Sequence, residues 1–240
     1  MNVKGVILAG GTGSRLGELT RVVNKHLLTV GRFPMICHAI TKLTDCNIRE
    51  IVVVVGKEHV GDFIELLGSG KRLNCDITYR VQEESGGIAQ ALGLTRAFCE
   101  KCNPIVILGD NIFLDSLQYV VNCTQLHPEY AYVGLKRISN PNRFGVPEFD
   151  ENGLIRRIHE KPDRHISDYA VVGVYSYPND VFGVISELKP SKRGEYEITD
   201  VNNHYLTRKR LREFYLTGPW IDAGTPESLF EANRLMMERK

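Results

Sequence analysis

Apolar positions in the first half of the chain come either as short unbroken runs or at helical spacing. Val3–Leu8, Glu50–Val55 and Pro104–Leu108 are runs with the length and β-branched content of buried strands, and Ile77–Val81 is a further strand. Between them, Met35, Ile36, Ala39, Ile40 and Leu43 recur at helical spacing over 34–46, behind Pro34. His59–Leu67 reads as a helix stopped by Gly68-Ser69-Gly70, and Ile88–Phe98 as another after a polar loop at 82–87. This alternation predicts an α/β fold: a three-layer, Rossmann-like, mostly parallel sheet with helices on both faces.

The pattern changes in the second half. Strands are expected at Tyr130–Leu135, Val146–Phe149, Leu154–His159, Tyr169–Tyr177 and Leu211–Leu216. Asp150-Glu-Asn-Gly153 is a hairpin signal between the second and third of these. Asp180–Leu188, Thr199–Arg208 and Pro226–Glu238 read as helices, with Thr199 a candidate N-cap. No repeat, low-complexity tract or linker interrupts the chain. The second half is therefore expected to extend the same, now mixed, sheet, giving a single domain over 1–240.

Composition narrows the functional classes. The chain has 240 residues, 42% hydrophobic and 25% charged, with a formal net charge of +1. No basic block marks a nucleic-acid surface, and no apolar run approaches the ~20 residues of a membrane span. The N-terminus enters a strand directly, without a signal-peptide plan. The six cysteines, at 37, 46, 75, 99, 102 and 123, sit mostly in apolar patterns. Cys99 and Cys102 lack a second Cys/His pair at zinc spacing. A cytoplasmic protein with reduced thiols is expected.

The densest chemistry follows the first strand. Gly10, Gly11 and Gly13 allow a sharp turn and close approach to a ligand, and successive N–H groups in such a turn form an anion site. Arg15 and Lys25 supply nearby cations. Leu16 stands where a dinucleotide fingerprint needs glycine, and no Gly-Lys-Ser/Thr completes a P-loop. The turn is either a phosphate cradle or a glycine-rich βα connection with two surface cations. Asp110 and Asp222 each follow a strand, at the sheet edge where α/β ligands bind. Two such carboxylates plus phosphate oxygens suit Mg²⁺; each could equally cap a turn. Both are expected on loops, where loss of a carboxylate costs metal binding rather than packing. Glu160-Lys161-Pro162 offers a hydroxyl acceptor and a phosphate cation, or a surface ion pair. Arg193 lies in a charged loop and either reaches an anion or is solvated. Of the seven histidines, His26 alone adjoins the candidate site.

Taken together, these segments resemble the sugar-1-phosphate nucleotidylyltransferases, and most of all their short thymidylyltransferase branch. The resemblance spans nearly the whole chain. It rests on Leu8-Ala-Gly-Gly-Thr-Gly-Ser-Arg-Leu16, Asn24-Lys-His-Leu-Leu28, Gln82 with Gly87-Ile-Ala-Gln-Ala91, and Leu108-Gly-Asp-Asn-Ile-Phe113. Arg143-Phe-Gly-Val146, Glu160-Lys-Pro162, Tyr169-Ala-Val171, Gly194-Glu-Tyr-Glu-Ile-Thr-Asp200 and Asp222-Ala-Gly-Thr225 complete it.

The resemblance implies the nucleotide-diphospho-sugar transferase fold and a Mg²⁺-dependent reaction of dTTP, or UTP, with glucose 1-phosphate. It implies that Leu8, Gly10, Gly11, Gly13, His26, Gln82 and Gly87 bind the nucleotide, with Arg15 and Lys25 on its phosphates. Asp110 and Asp222 would hold the metal. Gly145, Glu160, Lys161, Val171, Tyr175 and Arg193 would line the sugar-phosphate pocket. Gly17-Glu18, Thr29 and His26 depart from the family's Tyr-Pro-like pair, proline and glutamine. A silent nucleotide-sugar-binding regulator and a nicotinamide-dependent dehydrogenase are the alternatives from other classes. The four charged residues Arg15, Lys25, Asp110 and Asp222 weigh against the first, and Leu16 against the second. Homo-oligomers remain open. Longer relatives add C-terminal helices that build a second, regulatory nucleotide-sugar site. This sequence ends one helix past Asp222-Ala-Gly-Thr225, so such regulation is not expected.

Overall fold

The structure, a computed structural model, describes residues 2–238. In chain order, β1 (Val3–Ala9) leads through 3₁₀ turns at Ser14–Thr20 and Lys25–Leu27 into a short hairpin of β2 (Thr29–Val30) and β3 (Phe33–Pro34). α1 (Met35–Thr44), β4 (Glu50–Gly56), α2 (Val60–Leu67), β5 (Asp76–Gln82), α3 (Ile88–Gly93), β6 (Asn103–Leu108), β7 (Asn111–Phe113) and α4 (Gln118–Leu126) follow. Then come β8 (Ala131–Arg137), β9 (Gly145–Phe149), β10 (Ile155–Glu160), β11 (Tyr169–Ser176), α5 (Val181–Glu187), α6 (Ile198–Thr207), β12 (Leu211–Tyr215), β13 (Trp220–Asp222) and α7 (Pro226–Met237). The fold class is α/β, with a mixed sheet. Among the described residues, no helix is long and apolar enough to cross a membrane.

Internal packing divides the chain into two compact units. The glycine-loop unit gathers Lys4–Ser85, Val106–Gln118 and the segment from Gly218 onward. The hairpin unit gathers Gly86–Ile105 and Tyr119–Thr217 with the first residues of the chain, so β6 contributes to both.

In the glycine-loop unit β4 lies between β1 and β5 with parallel pairing on each side. Ile51–Val55 are fully buried there, which explains an unbroken apolar run: a parallel strand covered on both faces has no polar side to show. α1 buries the periodic set Met35, Ile36, Ala39, Ile40 and Leu43. Outside the main sheet, β7 and β13 form an antiparallel ribbon that sets Asp222 opposite Asn111. Beneath it, Val30, Met35, Ile112, Ala223 and Ala232 form a small core. Thr225 caps α7 in a capping box with Ser228, and Pro226 occupies its first turn.

The hairpin unit orders its strands β10-β9-β11, with β8 also on β11 and β12 parallel to β8. Gly153 turns the β9–β10 hairpin at φ +76°.

Three local expectations need correction. The helix expected over 88–98 ends as α-helix at Gly93, where a Cβ would lie 3.2 Å from Ile185 Cγ2. The chain continues in tighter turns, with Thr95 N–H on Leu92 O and Arg96 N–H on Gly93 O. Thr199 does not cap α6: Glu197 is the N-cap residue, and Thr199 lies inside the helix. The expected helix at 59–67 starts as a 3₁₀ turn over Lys57–His59.

Candidate functional site

In the glycine-loop unit the turn after β1 is built around neighbouring side chains. A Cβ on Gly10 would stand 2.1 Å from Gln82 Oε1, and one on Gly11 3.2 Å from Lys25 Cε. Gly13 sits at φ +73°, with Thr20 Oγ1 donating to its carbonyl at 3.0 Å. The turn is thus a seat for Gln82 and Lys25, whose side chains lie against the bare glycine backbone. Leu8, at the end of β1, accepts from Gly109 N–H at 2.9 Å, so the glycine turn and the turn carrying Asp110 leave adjacent strand ends.

Lys25 is not a surface cation. It is buried, and its Nζ contacts Asp110 Oδ2 in a buried ion pair. Asn111 Nδ2 donates to the other carboxylate oxygen at 2.9 Å. Burial would raise the Asp110 carboxyl, but the Lys25 charge overrides it, and the group is held well below the usual carboxylate range. Asp110 lies in the turn between β6 and β7, past a strand end as expected, but it is buried there, so its loss also strands a buried lysine rather than costing metal binding alone. Asp222 lies in β13 rather than on a loop, and Arg15 Nη2 stands 3.8 Å from its Oδ2. Ala223 N–H donates to Asp110 O at 2.9 Å, tying the two carboxylates to neighbouring positions of one ribbon.

Asn24 shapes the turn that carries Lys25. Its Oδ1 accepts from His26 N–H at 3.0 Å and lies 2.8 Å from His26 Nδ1. Because Oδ1 is fixed as the acceptor by the backbone contact, Nδ1 carries the imidazole proton. Burial first, then the Lys25 charge, lowers the His26 pKa to about 3, against a weaker pull from Asp110. His26 is therefore a neutral, buried neighbour of the pair.

The hairpin unit brings together a second set. In register, Gly145 faces Glu160 on β10 and Val171 on β11, so the three share one row across the strands. Glu160 Oε2 accepts from Thr199 Oγ1 at 2.6 Å, and its Oε1 lies 3.4 Å from Arg193 Nη1 and 3.8 Å from Lys161 Nζ. Arg193 also pairs with Glu195 and Glu197, at 2.9 and 3.6 Å. Burial raises the Glu197 carboxyl. Lys161 holds φ +42°, an unusual value for a residue with a side chain. Tyr175 is buried and stacks on Tyr177, centroids 5.9 Å apart. Gly87, expected beside Gln82, belongs to this unit. At φ +98° it starts α3, and a Cβ there would meet Tyr196 O at 2.7 Å.

Sequence reasoning missed three participants. Asn111 supports Asp110 and accepts from Trp220 Nε1 at 2.7 Å; Asn24 and Thr199 are the others. All three lie inside quoted motifs, yet their roles depend on contacts that spacing does not reveal.

The sequence profile described as nucleotidyl transferase matches residues 4–239. The chain belongs to the nucleotidyl transferase family. A glucose-1-phosphate thymidylyltransferase of Neisseria meningitidis is 42% identical to this nucleotidyl transferase over 96% of the chain and 81% of its own length. A crystal structure from Bacillus anthracis, described as a candidate glucose-1-phosphate thymidylyltransferase in complex with sucrose, superposes with TM-score 0.95 at 50% identity. That match covers 100% of this chain and 97% of the other. A UDP-glucose pyrophosphorylase complexed with UDP-glucose matches with TM-score 0.87 at 23% identity over 100% of both chains, which speaks for the nucleotidyl transferase fold alone.

Proposed function

We propose that this nucleotidyl transferase joins dTTP and glucose 1-phosphate to give dTDP-glucose and pyrophosphate. The names of its relatives support the substrates. The observation that carries the chemistry is the pairing of cations from the turns after β1 with two carboxylates, Lys25 with Asp110 and Arg15 with Asp222. That is a site built to exchange phosphate and metal charge rather than to activate a side-chain nucleophile.

The residues fit Mg²⁺. Asp110 and Asp222 supply hard oxygen donors from adjoining positions of the β7–β13 ribbon. Among the described residues no group of three or more His, Cys, Asp or Glu could hold a metal by itself. Two carboxylates completed by phosphate oxygens and water is how Mg²⁺ usually binds nucleotides. When bound, the ion would neutralise triphosphate charge.

The protein's own part is alignment. On this reading the glycine turn and Arg15 receive the triphosphate, and Lys25 turns from Asp110 to the phosphates. Gln82, seated against Gly10, pairs with the pyrimidine edge. In the hairpin unit Lys161 holds the sugar phosphate, and Glu160, Gly145 and Val171 bound the sugar. A sugar phosphate oxygen bonds to the α-phosphorus as the α–β bridging bond breaks, and pyrophosphate leaves with that electron pair. The attacking phosphate has a second pKa near ~6, so no general base is needed. Alignment and charge neutralisation then account for the rate. We propose that the two units serve one catalytic domain in this way. The test is pyrophosphate release from dTTP, glucose 1-phosphate and Mg²⁺. Metal-dependent release that requires both substrates is expected, and absence of release overturns the reading.

A further inference from the structure

α6 reaches β10 through two side chains one helical turn apart. Thr199 Oγ1 holds Glu160, as described. Asn203, four residues on, grips the strand backbone: Ile158 N–H donates to Asn203 Oδ1 at 2.9 Å, and Asn203 Nδ2 donates to Ile158 O at 2.8 Å. Residues at this helical spacing share a face.

The strand's own pairing explains why such a grip is available. β10 is the outer strand of β10-β9-β11. Ile158 lies opposite Pro147 in the β9–β10 register. In an antiparallel ladder, alternate residues turn both backbone groups away from the partner strand. Lys161 N–H donates to Phe144 O at 3.0 Å, so Lys161 belongs to the bonded class. Ile158 and Glu160 then belong to the outward class. The Asn203 carboxamide takes the place of a missing neighbour strand at Ile158.

The grip sits beside a weak point. The β9–β10 register shifts between Ile155 and Arg157, immediately before Ile158. A slip of one residue exchanges the faces of a strand. It would turn Glu160 away from Thr199 and Gly145, and would move Lys161 off Phe144.

We propose that Asn203 is a positioning residue that fixes the register of β10, and through it presents Glu160 and Lys161 to the sugar phosphate. This rests on the sugar-phosphate role proposed above for those two residues. Asn203→Ala removes both hydrogen bonds, and Asn203→Leu removes them while keeping the branched side-chain skeleton. In both, KM for glucose 1-phosphate rises about tenfold, the scale of one or two lost hydrogen bonds. KM for dTTP stays within about twofold, a split that general destabilisation does not produce. Amide exchange at Lys161 accelerates about tenfold or more, while β1 and β4 keep their protection. Unchanged protection at Lys161, or exchange that rises equally across the chain, overturns the proposal. If the wild-type enzyme does not turn over glucose 1-phosphate, the proposed function fails instead. Exchange at Lys161 then still decides whether Asn203 fixes the strand.

Discussion

Lys25 and Asp110, 85 residues apart in the chain, form a buried ion pair between the Lys25–Leu27 turn and the turn that follows β6. Removing one partner leaves an uncompensated charge in a site with little water. Lys25→Met and Asp110→Asn should each lower stability by about 3–5 kcal/mol, and the double variant by clearly less than the sum. Urea denaturation of the four proteins measures this. Additive losses would show that the pair does not act as a unit. Asp110→Asn and Asp222→Asn should both lose most of their activity at limiting Mg²⁺.

The same cluster predicts acid sensitivity. The His26 pKa falls from an ordinary 6.5 to about 3 in the folded state, so its contribution to stability is complete above 6.5 and is lost as pH falls toward about 3. That interval is worth up to roughly 5 kcal/mol. Asp110, also lowered, contributes above the ordinary carboxylate value and is lost below it. Between about pH 6.5 and 4.5 His26 contributes to the slope together with His38 and His204, whose pKa values burial also lowers. His26→Gln should flatten the fall of the thermal midpoint across that range, and an unchanged slope would locate the sensitivity elsewhere.

Gly10 and Gln82 should behave as one unit in reading the base. An alanine Cβ at position 10 would stand 2.1 Å from Gln82 Oε1 and must displace that side chain. Gly10→Ala and Gln82→Ala should each reduce kcat/KM for dTTP about tenfold or more, and together little further. Independent, multiplying losses would separate the two residues.

Lys161 exchanges stability for function. Its φ of +42° is strained for a residue with a Cβ, so Lys161→Gly should raise stability by up to about 1 kcal/mol. The same change removes the cation proposed for the sugar phosphate, and kcat/KM for glucose 1-phosphate should fall about a hundredfold. Stability and activity falling together would mean that the backbone shape, not the charge, is what Lys161 supplies.

The parallel core was readable from sequence because burial on both faces leaves no polar alternation, as at Ile51–Val55. The motif residues were readable for the same local reason: glycine, lysine and aspartate carry their chemistry in their identity. What escaped depended on partners distant in the chain. β7 and β13 are three residues each and carry no period of their own. α4 buries Val120, Val121 and Thr124 among polar neighbours, too weak a stripe to stand out. That Lys25 rests on Asp110 rather than in solvent, and that Thr199 holds Glu160 rather than capping α6, follow from tertiary contacts alone.

The proposed reaction pairs a pyrimidine triphosphate with a hexose 1-phosphate. Its most direct test is initial-rate pyrophosphate release across a matrix of dTTP, UTP, ATP and GTP against glucose, galactose and mannose 1-phosphates. The highest kcat/KM is expected for dTTP with glucose 1-phosphate. UTP should follow within the ~1–3 kcal/mol that one methyl group is worth, and both purine nucleotides should be poor. A preference for GTP or ATP, or release that does not require a sugar phosphate, would contradict it.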